Sequence, residues 1–128
     1  MSAPLAPLTP TLPVLDALAL ARLTELAEGD AAFLADLVDG YLQETPVRLV
    51  ELRRQALARD AQAVVAAAHA LKGASRTIGA QRVGAFAYAI ESAGRDGQVP
   101  SPDVLDALDH EVATAAGALG TFVTQAGT

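Results

Sequence analysis

A histidine, a lysine and a glycine fall at positions 69, 72 and 73, in the run Ala68-His69-Ala70-Leu71-Lys72-Gly73-Ala74-Ser75. Lys72 is the only lysine in the chain, while every other positive side chain is an arginine. On a helix, residues three and four apart share a face. The spacing therefore sets a compact ammonium and a position without side-chain bulk one turn from an imidazole. Imidazole is a neutral nitrogen nucleophile near pH 7, and lysine is a flexible point charge suited to a phosphoryl group. The chemistry this pattern points to is a histidine that takes up phosphate.

The elements that position these residues are helices. The chain has 128 residues, enough for one domain with a single core. Hydrophobic residues make up 52% of it but aromatics only 4%, with no Trp, so the core is built from Ala, Leu and Val and its helices pack closely. Asp16 caps a short helix carrying Leu18, Leu23 and Leu26, which ends at Gly29. Asp30 caps a second, with Phe33, Leu34, Leu37, Val38, Tyr41 and Leu42 at spacings of three and four. Thr45-Pro46 either starts a new helix or kinks a long one, and the continuing stripe Leu49, Leu52, Ala56 favours one long kinked helix to about Ala58.

Asp60 caps a helix over 61–78. Advancing about 100° per residue, Val64, Ala67, Ala68, Leu71, Ala74, Ser75 and Ile78 make its inner stripe, and His69 projects roughly opposite with Gln62, Val65, Lys72, Gly73 and Arg76. Gly79 ends this helix. The next runs from Gln81 to about Arg95 with Val83, Phe86, Ala87 and Ile90 inward, and Asp96-Gly97 turns the chain. Ser101-Pro102-Asp103 starts the last, with Leu105, Leu108, Val112, Ala115, Leu119 and Phe122 inward. No segment alternates like a strand. The expected fold is all-α: an antiparallel up-and-down four-helix bundle over residues 15–124 with an additional short N-terminal helix. Residues 1–14, with prolines at 4, 7, 10 and 13, read as an extended tail or linker, and residues 125–128 as a flexible end.

Composition narrows the function. A formal net charge of -6 argues against nucleic-acid binding, which needs clustered Lys and Arg. The absence of cysteine excludes disulfides, thiolate metal sites and a cysteine nucleophile. No stretch suits a signal peptide or a membrane span, so the expectation is a cytoplasmic protein away from membranes. There is no phosphate-cradling glycine loop, no acid pair spaced for a metal and no kinase ATP motif. The two histidines, without an inward Glu-x-x-His pair, are a poor metal-ligand set, and no metal is expected. His110, between Asp109 and Glu111, reads as a surface or packing residue, and Ser75 and Thr77 as core packing and helix-end polarity.

The run His69-Ala70-Leu71-Lys72-Gly73-Ala74-Ser75, with Gly79 ten residues after the histidine, resembles the signature of histidine-containing phosphotransfer (HPt) domains. The order of the surrounding elements is similar too, over about residues 14–123. The resemblance implies a phosphorelay intermediate of two-component signalling: His69 accepts a phosphoryl group from a receiver-domain aspartyl phosphate and passes it to another receiver. Lys72 then supplies charge to the phosphoryl group, and Gly73 leaves room for the receiver. Glu91, at the position of a polar residue that often orients the imidazole in the family, is the candidate for that task. Gln62, Val65 and Arg76 become candidate docking residues, with Val65 an outward apolar contact. The implied partners are response-regulator receiver domains and a hybrid histidine kinase, and the protein is expected to be a monomeric phosphocarrier. It has no cofactor of its own; Mg²⁺ comes with the receiver. The alternatives are the phosphoacceptor domain of a chemotaxis-type kinase, or a docking bundle without chemistry. A chain beginning at Met1 and ending soon after the bundle is read as free-standing or as an excised module.

Overall fold

Short polar side chains set where the helices begin. In the computed structural model, which describes residues 12–127, five α-helices follow one another: α1 (Ala17–Ala27), α2 (Ala31–Leu57), α3 (Ala61–Ile78), α4 (Gln81–Arg95) and α5 (Pro102–Ala126). Asp16, Asp30, Asp60 and Ser101 each accept a hydrogen bond from a first-turn amide of the helix they precede, satisfying donors that have no intrahelical partner. Only α4 starts without a side-chain cap, since Ala80 offers none. Among the described residues there is no strand.

Helices α2 to α5 form the bundle. Each packs on its neighbour in sequence, and α5 closes the ring against α2, while α1 lies against α2 and α3. The core joins Leu34, Val38, Leu52, Val64, Leu71, Val83, Phe86, Ile90, Leu108 and Leu119. Tyr41 and Ser75 add a buried polar contact between α2 and α3, Oη to Oγ at 2.8 Å. Burial raises the Tyr41 pKa above its usual value, against the lowering effect of that hydrogen bond. Helix α2 continues through Pro46 without a break, so the long-helix expectation holds, and the Thr45 hydroxyl donates to the Tyr41 carbonyl at 2.6 Å next to the proline.

The α3–α4 connection governs the site. Gly79 has φ +86°, and a Cβ there would lie 3.2 Å from Leu20, so both conformation and space require glycine. The Asp16 amide donates to the Gly79 carbonyl at 2.8 Å, and Gln81 Nε2 donates to the carbonyls of Pro13 and Leu15. Residues 13–16 are thus tied to this turn, and Val14 and Leu15 pack on the core. The other prolines of the expected tail, at 4, 7 and 10, lie outside the described residues. At the other end, α5 reaches Ala126, inside the segment expected to be a tail.

One apolar side chain faces away from where the sequence pattern put it: Phe33, in the stripe of α2, is exposed. On α1, Leu18 and Leu26 are exposed, and the buried stripe is Ala19, Leu20, Leu23 and Ala27. Helix α1 is rich enough in leucine to offer two overlapping stripes, and packing on α2 and α3 selects the one centred on Leu20 and Leu23. Phe33 sits in the first turn of α2, where its amide is held by the Asp30 cap.

Candidate functional site

Helices α3 and α4 run antiparallel from a turn so short that its position sets their register. His69 lies as far before Ala80 as Glu91 lies after it, and the nearer contacts follow that symmetry. His69 meets Glu91, Lys72 meets Tyr88 and Arg76 lies over Gly84, while farther out Val65, one residue off this register, packs on Gly94. On α4, positions 84, 88, 91 and 95 recur at intervals of four and three, so they form one edge of the helix. This edge faces the His69 side of α3.

Glu91 is the centre of the cluster. Its residue is 2% exposed, yet its carboxylate touches three basic side chains. His69 Nδ1 is 2.9 Å from Oε2, Arg95 donates to the same oxygen at 2.7 Å, and Lys72 Nζ is 2.7 Å from Oε1. The Lys72 contact is a close ion pair that lies off the alignment of a directed hydrogen bond, so it acts through charge. The Lys72 ammonium, aided by His69 and Arg95 and opposed by burial, pulls the Glu91 carboxyl down to about 2. At neutral pH it is ionised and can only accept hydrogen bonds. The hydrogen in the 2.9 Å contact therefore belongs to His69 Nδ1, and the neutral ring carries its lone pair on Nε2.

The ring itself is open. The His69 side chain is 66% exposed, and among the described residues nothing hydrogen-bonds its Nε2. Lys72 is far more enclosed, with a side chain 16% exposed, lodged between Glu91 and the ring of Tyr88, whose centroid is 5.4 Å from Nζ. Two cations around one carboxylate leave a unit of positive charge over beside the imidazole. Gly73 is exposed, and a Cβ added there meets no atom within 4 Å. The bundle does not need glycine at that position, and the space above it is open.

The structure places four of the candidate residues more narrowly than the sequence does. Glu91, the candidate for orienting the imidazole, is buried, with His69 and Arg95 on Oε2 and Lys72 beside Oε1. Val65 is half-buried rather than an outward patch, since its Cγ2 fills the notch left by Gly94, where a Cβ would come within 2.7 Å. Arg76 is exposed but not free-swinging: its stem lies 3.1 Å from where a Gly84 Cβ would stand, and its guanidinium sits 5.8 Å from the Tyr88 centroid. Lys72 is held on Glu91 rather than projecting alone. Gln62 is exposed on α3, and His110 is exposed on α5. Tyr88 and Arg95 were not singled out from the sequence. An i,i+4 Glu91-Arg95 pair and an aromatic off the inner stripe of α4 were the available signals.

Comparison with known proteins agrees with this architecture. The Hpt domain model matches residues 36–118, more than half of the chain. The crystal structure of histidine-containing phosphotransfer protein B (HptB) from Pseudomonas aeruginosa PAO1 superposes with a TM-score of 0.78 at 27% sequence identity, covering 90% of this chain and 98% of that one. No curated protein sequence matches. Among the described residues, no helix is long and apolar enough to cross a membrane. Hpt domains work with receiver domains and kinases as phosphocarriers rather than as enzymes in the usual sense. A helical bundle with this element order, matched over most of its length, identifies the chain as a member of the Hpt domain family, a phosphotransfer intermediate of two-component signalling.

Proposed function

We propose that His69 is the phosphoacceptor, and that it takes its phosphoryl group from the aspartyl phosphate of one receiver domain and gives it to the aspartate of another. The observation that carries this reading is the exposed ring whose Nδ1 is bound by a buried, ionised carboxylate, which leaves Nε2 as the nucleophile toward solvent. The Nε2 lone pair attacks phosphorus in line as the bond to the aspartyl oxygen breaks, and the electron pair leaves on the aspartate carboxylate. The ring becomes cationic, and its Nδ1-H bond to Glu91 tightens as that charge appears. No proton has to move, so the step reverses readily onto a second receiver.

Phosphoryl transfer passes through a loose transition state with charge on the equatorial oxygens, so the protein's share is position and positive charge. Lys72 and Arg95 supply that charge beside the ring, and the open space at Gly73 admits the receiver loop. The receiver brings the Mg²⁺ and the acidic pocket, and a hybrid histidine kinase stands upstream in the cytoplasm.

The test is phosphorylation by a labelled receiver. Acid-labile, alkali-stable label should appear on the wild-type chain and vanish in His69→Gln. Label that survives in that variant would remove the assignment.

A further inference from the structure

One aromatic ring beside His69 has no task in the core. Tyr88 is 52% exposed in a chain where aromatics make up 4% of residues. Two cations from α3 approach it: the Lys72 ammonium at 5.4 Å and the Arg76 guanidinium at 5.8 Å from the ring centroid. Both are within the range, about 6 Å, at which the electron-rich face of an aromatic ring attracts a cation. Lys72 and Arg76 are one turn apart, so a single ring on the opposite helix reaches both.

Each cation has a second anchor. Lys72 Nζ is fixed by Glu91 Oε1 at 2.7 Å. The stem of Arg76 rests in the notch at Gly84, where a Cβ would stand 3.1 Å from its Cγ. Among the described residues Arg76 pairs with no carboxylate, so its charge stays uncompensated on the face that holds His69. A long cationic side chain that is ordered beforehand loses less conformational freedom when it meets an anion.

We propose that Tyr88 is a positioning residue for phosphotransfer: its ring face holds Lys72 and Arg76 in fixed places beside His69, ready for the acidic, phosphorylated pocket of an incoming receiver. The inference rests on the role given to His69 above and extends it by naming what orders the charges around that ring. The hydroxyl has no part in it, which separates a ring-face role from a hydrogen-bonding one.

The experiment measures single-turnover transfer from a phosphorylated receiver at increasing receiver concentration. Tyr88→Leu, which keeps apolar bulk but removes the ring, should raise the half-saturating concentration roughly 5-fold, the scale of one to two such contacts. Tyr88→Phe should stay within about twofold of wild type. A Leu variant that behaves as wild type, or a Phe variant as impaired as Leu, overturns the proposal. A cycle with Arg76→Ala guards against a merely structural effect. The double variant Tyr88→Leu/Arg76→Ala should be hardly worse than the poorer single variant, whereas fully additive losses contradict the proposal. Failure of wild type to take label at all counts against His69 as acceptor, and is read separately through His69→Gln.

Discussion

Two carboxylates are sunk at helix seams in this bundle, and they are treated in opposite ways. Glu91 on α4 has each of its oxygens facing a cation, and Oε2 is shared by two donors. Among the described residues Glu111 on α5 meets Arg82 alone, at 3.0 Å on Oε1, and its Oε2 has no partner. Glu91 Oε1 is likewise buried without a directed hydrogen bond, but the Lys72 ammonium lies 2.7 Å from it. A buried charge is tolerated when opposite charge surrounds it, and is a burden when one side is left bare. The carboxylate with a cation on each oxygen lies next to the solvent-facing imidazole. The one with a single cation joins α4 to α5, away from any candidate chemistry. The bundle places the more heavily paired carboxylate where a ring must be held with one tautomer, and elsewhere accepts an ion pair of ordinary quality.

The contrast is broken most strongly by Glu91→Ala. It frees the imidazole, leaves Lys72 and Arg95 without their shared anion, and should slow transfer roughly 100-fold, the cost of losing orientation at a reacting group. Stability should fall by about 2 kcal/mol, read from chemical denaturation. Glu91→Gln keeps an acceptor for Nδ1-H and should recover much of the rate.

Acid titration probes the Glu91 carboxylate next. The Glu91 carboxyl is held at about 2 in the folded protein, below the ~4.3 of an unfolded glutamate. Its contribution to stability is complete above the unfolded value and is lost as pH falls from there through about 2. Glu91→Gln should flatten the stability profile in that window and leave it unchanged near neutrality in slope. An unaltered acid limb would mean that the carboxylate is not held by its cations.

At the other seam, Arg82→Leu alone should destabilise by about 1 to 3 kcal/mol, because it strands a buried carboxylate. Arg82→Leu with Glu111→Leu should return to within about 1 kcal/mol of wild type. A double variant as poor as the single one would show that this ion pair is as well built as the Glu91 cluster. The smallest effect belongs to Gly73→Ala, where the added methyl meets nothing within 4 Å. It should stabilise by up to about 1 kcal/mol and leave transfer nearly unchanged, whereas Gly73→Leu should fold equally well and slow transfer by obstructing the receiver.

Much of this was legible in the sequence, and the reasons are local. Caps at Asp16, Asp30, Asp60 and Ser101 and stops at Gly29 and Gly79 marked the helices, because capping is written in neighbouring residues. The phase of α3 followed from its apolar stripe, which put His69 outside and Leu71 inside. What the apolar stripes alone did not give was pairwise geometry across helices. The burial of Glu91, the notch that Gly94 opens for Val65, and the ring of Tyr88 between two cations depend on how closely α3 and α4 approach. Periodicity gives the face of a residue, not what stands opposite. The two-residue turn at Gly79-Ala80 did carry that information, since residues equidistant from it meet. Which leucines of α1 are buried was open in the sequence for the reverse reason: α1 offers more leucine than one seam can bury, and tertiary packing made the choice.

The most direct measurement is nuclear magnetic resonance of the histidine-labelled protein before and after phosphorylation. Nitrogen-15 shifts should show His69 protonated on Nδ1 in the free protein, and the phosphorylated form should show phosphorus-nitrogen coupling at Nε2 of His69. Phosphorus on Nδ1, on His110, or on no ring nitrogen would contradict the account.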